Sequence, residues 1–600
     1  MRKSNYLFQI MSVKLRLALS VLTGLLLGVA WSSQITVFLI FVAFIPLFWV
    51  FSDLEKTPER KNGKRFYGYA FLAFMVWNVF TTWWVLNATP VAVLAFIINS
   101  SLMALMVYFY YIVKKHVFRG RNCLWILALF FTAFEYFHLD WDLSWPWLTL
   151  GNVFAWTPHL VQFYEFTGAL GGSVWIWAVN IALFYMFKRE VPLSAYSIFI
   201  FGVFVMRVDV AWFYLIFFAM FVGYRLLYDK SAFVRKKLKK QEEQLMAPKK
   251  PMAWKDIWTI VGLIFLPMII SVAMYQTFEE RGDRKVEVVV VQPNIDPYEE
   301  QYEICPLEAT ERMLNLARKK ITPNTRLIVT PESMIQEFVW EHRIQYSPSI
   351  RKIQEFLSEF DSLELLAGLS TWRLVPERTS ASRKSGDVYF ERHNAALLIS
   401  RDILSEKYYK SKLTPGVEIM PFVGKFPFLE KLALDLGGTI GTLGISSERK
   451  VFRSQYGTPP FSAVICYELI FGGFVTGFVR NGAEFLAIMT NEGWWGDTPG
   501  HRQIARYTRL RAIETRRDIA RSANTGISGF INQRGDFLQP TQYWTKDVIV
   551  QTIRANDQIT FYVRFGDYIG RVAFFSAGLL LLLALVFRLR GWKKDVTTSH

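Results

Sequence analysis

The sequence predicts a polytopic α-helical membrane domain joined to an α/β domain that lies outside the membrane. Hydrophobic residues make up 52% of the 600 residues, and the mean hydropathy is +0.22. Apolar runs of about 20 residues, the length that crosses a bilayer, recur through the first half of the chain. Between about 277 and 565 there is no such run, and short β-rich strings alternate with polar turns.

The apolar runs give the order of the predicted spans. They lie at 15–33, 36–52, 67–87, 91–113, 123–139, 165–187, 257–276 and 569–588. A longer stretch, 193–228, is interrupted by Arg207 and Asp209. We expect it to form a re-entrant or crossing hairpin with Arg207 at its outer tip, which gives about nine spans before the α/β domain if it crosses twice. The first run follows a basic N-terminus, but more spans follow at once, so we interpret it as a retained span rather than a secretion signal.

Basic loops orient these spans, because short loops rich in Lys and Arg stay in the cytoplasm. Such clusters lie at 56–65, 114–121, 188–189 and 230–255, and another follows the last span. The segment 140–164 has no Lys or Arg and several Trp, which is typical of an external interfacial loop. The pattern places the domain at 277–565 on the extracytoplasmic side.

Composition excludes several classes of function. The net charge of +18 falls in short clusters between apolar runs, which indicates membrane topology rather than a nucleic-acid-binding face. The three cysteines, Cys123, Cys305 and Cys466, have no spacing typical of a disulfide framework or a zinc site. No metal or organic cofactor is implied. The spans show no internal repeat of the kind that transporters display.

The segment 277–565 predicts a layered α/β domain. Strands are predicted at 286–292, 326–330, 365–370, 394–400, 461–466, 484–490 and 526–532, and helices at 306–320, 348–360, 470–481 and 501–519. Functional residues are expected where such strands end and loops begin.

Three predicted strand ends carry reactive side chains: Glu332, Lys410 and Cys466. Taken singly, each has an ordinary explanation. An acid after a strand usually caps a helix or lies in a turn, and a lone cysteine on a strand is usually a small buried hydrophobic residue. An acid, a lysine and a cysteine at three strand ends of one domain are more informative together than apart.

The surrounding motifs carry a family resemblance. They are Gln292-Pro-Asn294, Pro331-Glu332, Tyr409-Lys410-x-x-Leu413 followed by Pro415 and Glu418, Ile465-Cys466-Tyr467-Glu468, Asn491-x-x-Trp494-Trp495-Gly496, and Ser522-Ala-Asn524-Thr-Gly526. The order of acid, lysine and cysteine is similar to that of the nitrilase superfamily. With the membrane block before it and one span after it, the chain resembles the apolipoprotein N-acyltransferases, which perform the last step of bacterial lipoprotein maturation.

The resemblance implies a fold, a division of the chain and a reaction. The fold is an αββα nitrilase-like (carbon–nitrogen hydrolase) sandwich at 277–565, between a multi-span domain at 1–276 and a C-terminal helix with a basic tail at 566–600. The reaction moves a fatty acyl group from a phospholipid, through a cysteine thioester, to the α-amino group of the diacylglyceryl-cysteine that begins an apolipoprotein. The enzyme would act in the bacterial inner membrane, with its catalytic domain on the periplasmic side, and we expect a monomer.

The resemblance also assigns roles to residues. Cys466 would be the nucleophile, Glu332 the general base and Lys410 the group that stabilises the oxyanion. The supporting residues would be Glu418, which pairs with Lys410; Tyr467 and Glu468, which shape the pocket beside the thiol; and Trp494, which with Trp495 lies at headgroup level.

The lysine motif departs from the family pattern. It usually reads Lys-x-His-Leu, and here Lys412 stands in the place of the histidine. The spacing to Glu418 is kept for Lys410, so we assign the catalytic lysine to Lys410 rather than to Lys412. Two alternatives remain open from the residues alone: a membrane-anchored amidase that acts on small amides, and a binding or transport protein with a degenerate nitrilase domain.

Overall fold

The computed structural model describes residues 11–597 apart from 57–61, 89, 91, 122, 189–252, 302 and 420–441. The predicted hairpin at 193–228 and most of the basic loop at 230–255 lie outside the described residues.

The N-terminal part is helical. Its helices are α1 (Val13–Ala30), α2 (Ile45–Leu54), α3 (Asn62–Thr82), α4 (Ala92–His116), α5 (Leu124–Phe137), α6 (Tyr164–Phe187) and α7 (Trp254–Thr277). A 3-10 turn, Thr36–Phe41, precedes α2. Within the described part of the chain, seven helical segments, including the C-terminal one, are long and apolar enough to cross a membrane, and they match seven of the predicted runs. The chain is a membrane protein.

The prediction of a full span at 123–139 was wrong in length. Helix α5 has 14 residues, about 21 Å at 1.5 Å per residue, which is short of a hydrocarbon core of about 30 Å. The chain turns at His138, whose ring nitrogens accept hydrogen bonds from the indole of Trp141 (2.8 Å) and the backbone N–H of Trp145 (3.0 Å). Hydropathy does not detect such a turn.

The segment 140–164, predicted as an external interfacial loop, is not an exposed loop, and its external side stays a prediction. Most of this segment is buried and forms three 3-10 turns, Pro146–Leu148, Leu150–Trp156 and Pro158–Leu160. Trp147 is fully buried. Its indole donates to the side-chain oxygen of Gln503 (2.7 Å), and its carbonyl accepts from the hydroxyl of Tyr507 (3.0 Å). The tryptophans therefore pack against the α/β domain, and we call 140–164 the aromatic platform.

The α/β domain contains two sheets. The strands are β1 (Arg284–Gln292), β2 (Thr325–Val329), β3 (Ile335–Trp340), β4 (Glu364–Val375), β5 (Arg383–Ser385), β6 (Val388–Ile399), β7 (Leu404–Tyr409), β8 (Phe461–Ile465), β9 (Phe485–Thr490), β10 (Ile519–Ala523), β11 (Gly529–Ile531), β12 (Phe537–Leu538) and β13 (Asp547–Ala555). The first sheet has the order β13-β1-β2-β4-β6-β5, with β3 on β4 and β7 on β6, and the second has the order β12-β11-β10-β9-β8.

Successive side chains of a strand point to opposite faces of its sheet, so each strand contributes to two hydrophobic cores. In β1, Val288 and Val290 belong to the core between the sheets, whereas Val289 and Val291 belong to the core under the outer helices. The helices are α8 (Pro306–Arg318) and α9 (Pro348–Leu357) over the first sheet, and α10 (Gly472–Arg480) and α11 (Pro499–Thr515) over the second. The predicted αββα sandwich is confirmed.

Several elements differ from the predicted ones. Strands β3, β5, β10, β12 and β13 were not predicted, and β7 was expected only as the strand end before Lys410, without bounds. The helix predicted at 501–519 ends at Thr515, because Arg516 takes a left-handed conformation (φ 50°) and the chain then enters β10. Two further helices, α12 (Phe561–Phe565) and α13 (Tyr568–Thr597), complete the chain. The exact division at 276 and 565 stays a prediction.

Candidate active site

The three predicted catalytic residues follow strand ends from both sheets. Glu332 lies shortly after β2, Lys410 directly after β7, and Cys466 directly after β8. All three side chains are buried, with Glu332 8% and Lys410 1% exposed. A site assembled at the ends of two packed sheets is held by the sandwich rather than by one loop.

Lys410 is held between two carboxylates. Its Nζ lies 2.9 Å from a carboxylate oxygen of Glu332 and 2.9 Å from one of Glu418. The amide of Asn394 donates to both acids, at 2.7 and 3.2 Å, and the carbonyl of Asn394 accepts from the backbone N–H of Lys410 at 2.8 Å. Lys412 points elsewhere and pairs with Asp140 at 2.6 Å.

These charges fix the protonation of the cluster. Burial alone lowers the pKa of Lys410, but the charges of Glu332 and Glu418 outweigh it and raise that pKa well above its ordinary value. Burial alone raises the pKa of Glu418, but Lys410 outweighs it and lowers that pKa. The resting site therefore holds an ammonium against an ionised Glu418.

Glu332 is positioned by the close packing of β4 against the turn that carries it. Gly368 of β4 packs directly on the turn that carries Glu332, and a Cβ at this glycine would lie 2.2 Å from the carbonyl oxygen of Pro331. The next residue, Ser333, has a positive φ of 51°. The second oxygen of Glu332 accepts from the backbone N–H of Asn491 at 3.2 Å. The carboxylate is thus oriented by neighbours on three sides.

Cys466 begins a short 3-10 turn, Cys466–Ile470, with a positive φ of 49°. Such a conformation costs a non-glycine residue energy and is found where the surrounding structure enforces it. Burial, followed by the charge of Glu332, raises the pKa of the Cys466 thiol well above its ordinary value, and Lys410 opposes this only in part. The resting cysteine is a neutral thiol that needs a base in order to act as a nucleophile.

Glu468 secures the turn that carries Cys466. Its carboxylate accepts from the backbone N–H groups of Ile465 (2.8 Å) and Ser411 (2.6 Å) and from the hydroxyl of Tyr408 (2.6 Å). Burial raises the pKa of Glu468 to about 6, against the opposing effect of these hydrogen bonds. Glu468 joins the loop after β7 to the loop after β8, and so joins the lysine to the cysteine.

Tyr467 connects the same turn to the membrane domain. Its hydroxyl donates to the carbonyl of Ser144 at 2.9 Å, and its ring stacks on Trp145 with the centroids 6.0 Å apart. Both contacts come from the aromatic platform.

Trp494 and Trp495 differ in their surroundings. Trp494 is half-buried against the ring of Tyr298, with the centroids 5.3 Å apart. Trp495 packs on Trp84 at 4.6 Å, and its carbonyl accepts from the amide of Asn87 at 2.9 Å. Trp495 therefore joins the α/β domain to the turn that follows α3, whereas the contact between Trp494 and Tyr298 lies within the α/β domain.

Sequence reasoning missed Asn394. Its amide bridges both acids of the cluster, yet the only signal in the sequence was a polar residue at the first position of a predicted strand. Asn524, which belongs to one of the family motifs, exchanges two hydrogen bonds with the backbone of Ile295 (2.9 and 2.7 Å). It also donates to the side-chain oxygen of Asn491 at 3.3 Å, and the backbone N–H of the same Asn491 binds Glu332.

Comparison with known proteins agrees with both halves of the structure. The family model described as "Apolipoprotein N-acyltransferase N-terminal domain" matches residues 23–182, and the carbon–nitrogen hydrolase model matches residues 288–560. The class is therefore a carbon–nitrogen hydrolase domain carried by a multi-span membrane protein.

Proteins that are similar to this chain over most of its length identify the family within this class. An apolipoprotein N-acyltransferase of Chlorobaculum tepidum is 29% identical over 95% of this chain and 96% of its own length. One of Geobacter metallireducens is 22% identical over 95% of each chain. One of Thermotoga maritima is 27% identical over 56% of this chain and 59% of its own length. The chain belongs to the apolipoprotein N-acyltransferase family.

Proposed function

We propose that this acyltransferase transfers a fatty acyl group from a phospholipid to the α-amino group of the diacylglyceryl-cysteine of a lipoprotein, with Cys466, Glu332 and Lys410 as its catalytic residues. The observation that carries the residue assignment is the Lys410 ammonium, which is buried 2.9 Å from Glu332 in a domain that also places Cys466 at a strained strand end. The lipoprotein substrate class follows from the family.

In the first half-reaction the ester is converted into a thioester. Glu332 takes the proton of the Cys466 thiol, and the sulfur attacks the acyl carbonyl carbon of the phospholipid. Negative charge develops on the carbonyl oxygen, where the ammonium of Lys410 stabilises it. The backbone N–H of Tyr467 is a second donor, because N–H groups in the first turn of a helix have no partner within it. When the ester C–O bond breaks, Glu332 returns the proton to the leaving alcohol, and lysophospholipid departs.

In the second half-reaction the neutral α-amino group of the lipoprotein attacks the thioester carbonyl. Glu332 accepts a proton from the attacking nitrogen, and the same two donors stabilise the oxyanion. The C–S bond breaks, the thiolate of Cys466 takes back the proton, and the product is an amide. The pair Glu418–Asn394 acts on this sequence through Lys410, whose orientation it fixes.

The position of the site suits substrates that stay in the membrane. The turn that carries Cys466 is bonded to the membrane domain through Tyr467, and Trp495 packs on the turn that follows α3. With the basic loops in the cytoplasm, the α/β domain would lie on the periplasmic side of the inner membrane. The three catalytic residues come from one chain, as we expect of a monomer.

The amidase alternative is not favoured, because relatives that match along 95% of this chain are named as N-acyltransferases. Intact-mass measurement tests the proposal. The purified full chain, incubated with phosphatidylethanolamine alone, should gain the mass of one fatty acid minus water, and Cys466→Ala should gain none. A wild-type chain that stays unmodified while small amides are hydrolysed would overturn it.

A further inference from the structure

A cavity of about 320 Å³ lies where the α/β domain meets the end of α5 and the start of α13. On the membrane-domain side it is lined by aromatic rings, with Phe137 and Phe574 stacked at 6.3 Å. On the α/β side it is lined by Lys412 and Arg449. The membrane-domain wall is therefore mostly aromatic apart from Asp140, and the α/β wall carries two cations beside the rings of Phe471 and Phe474.

The apolar wall continues along α13. Past Phe574, this helix exposes large apolar side chains: Phe575 (73%), Leu579 (59%) and Leu582 (62%). The helix is also long and apolar enough to cross a membrane. An amphiphile whose tail lay along α13 would place its head in the cavity.

Lys412 is held there by a bond that an anion can replace. Its Nζ lies 2.6 Å from the carboxylate of Asp140 and 3.2 Å from the carbonyl of Leu139. The Asp140 side chain is 89% exposed. Ion pairs with an exposed partner contribute little, about 0–1 kcal/mol. A better anionic ligand would therefore displace Asp140 from Lys412.

Arg449 supplies a second donor at the same wall. Its guanidinium carbon lies 3.9 Å from the ring centroid of Phe474, which also lines the cavity. Arg449 and Phe474 also line a neighbouring cavity of about 630 Å³, whose other cationic residues are Lys450, Arg453 and Arg480. Guanidinium and ammonium groups together are a common phosphate-binding set.

The other carboxylates that line the two cavities offset the positive charge of the lysines and arginines only in part. Asp567 also lines the cavity, but burial raises its pKa, and its carboxyl group accepts from the hydroxyl of Tyr562 at 2.5 Å. In the neighbouring cavity Glu406 is paired with Lys450 at 3.0 Å, and Glu448 also lines its wall.

We propose that this cavity binds the phosphate group of a membrane phospholipid, with Lys412 and Arg449 as its ligands and the acyl chains lying along α13. The lipid is held rather than consumed, so the site is separate from the thioester chemistry. A bound lipid would contact three elements: its phosphate would bind the loop that follows Lys410, and its chains would lie against the end of α5 and the start of α13.

Titration calorimetry on the full-length Cys466→Ala chain tests this site without turnover. The probes are dihexanoyl phosphatidylglycerol, dihexanoylglycerol, which lacks the phosphate, and inorganic phosphate, which lacks the chains. We expect the phospholipid to bind at least about tenfold more tightly than either partial probe. In the same background, Lys412→Gln combined with Arg449→Gln should weaken phospholipid binding about tenfold, since two charge-assisted hydrogen bonds are lost.

Two further variants act as controls. Asp140→Asn removes the competing carboxylate and should tighten binding severalfold, a gain that misfolding would not produce. Lys352→Gln, on the outer face of α9, removes one exposed cation and should leave the affinity unchanged. Equal affinity in the double variant, or no gain in Asp140→Asn, would overturn the site. Equal binding of dihexanoylglycerol would show that the phosphate is not recognised, and equal binding of inorganic phosphate would make it a free-anion site; either result would overturn the proposal.

Discussion

Replacing Lys410 by Met tests the charge balance of the buried cluster. The wild-type cluster holds one ammonium against Glu332 and Glu418, and both partner oxygens lie 2.9 Å from its Nζ. The two oxygens are therefore less than about 6 Å apart. With the ammonium gone, two carboxylates about 5.5 Å apart repel each other by about 3 kcal/mol at an effective dielectric constant of about 20.

Thermal unfolding, followed by tryptophan fluorescence, measures this repulsion. At roughly 2 °C per kcal/mol for a domain of this size, Lys410→Met should lower the melting midpoint by about 6 °C at pH 8. Adding Glu418→Gln removes one of the two charges and should recover most of that loss. Neither variant should form the Cys466 adduct at more than about 1% of the wild-type rate, because the oxyanion donor is absent from both.

The pH dependence follows from the same charges. Lys410 lowers the pKa of Glu418 in the folded wild-type chain, so this acid stabilises the fold above the unfolded pKa of about 4.3, and that contribution is lost as the pH falls further. In Lys410→Met, protonation of one acid relieves the repulsion, so the difference from wild type should shrink between pH 8 and pH 5. A difference that does not change with pH, or a double variant no more stable than Lys410→Met, would refute the electrostatic reasoning.

Three other predictions concern the nucleophile and its supports. In a Cys123→Ser/Cys305→Ser background, the rate of Cys466 alkylation by iodoacetamide should still be rising at pH 9, because burial and Glu332 raise the thiol pKa; a plateau below pH 8 would contradict this. Gly368→Ala should slow adduct formation at least about tenfold, since its Cβ would meet the Pro331 carbonyl, whereas Gly68→Ala, which meets open space, should not. Tyr467→Phe loses the hydrogen bond to Ser144 and should lower the melting midpoint by about 2 °C, for a bond worth about 1 kcal/mol; an unchanged midpoint would show that this bond does not stabilise the junction.

The sequence predicted what depends on local pattern. Apolar length located seven membrane-spanning helices, and alternating short elements located the sandwich. Glu332, Lys410 and Cys466 were chosen as candidates because each follows a strand end within a motif, and their catalytic roles stay a prediction. The same reasoning chose Lys410 over Lys412 by spacing, and the structure places Lys410 against Glu418 and Lys412 against Asp140.

The misses concern contacts between distant residues. Asn394 lies 62 residues from Glu332, and its amide reaches that acid only after β6 and the loop after β2 have packed. Strand β13 forms by antiparallel pairing with β1, more than 200 residues earlier in the chain. The end of α5 depends on His138 and its tryptophan partners, and hydropathy does not register hydrogen bonds.

The aromatic platform determines how far the α/β domain is separable from the membrane domain. Its contacts with Tyr467, Gln503 and Tyr507 replace water at buried polar atoms, and Trp31 of α1 also donates to Tyr507 at 3.0 Å. Cutting the chain after α7 would leave these hydroxyl and amide groups without partners and expose the surrounding rings. The α/β half is thus not independent of the membrane domain, because the turn that carries Cys466 is held at one fixed position on it. If the proposed function is right, both substrates have to diffuse to that position within the bilayer.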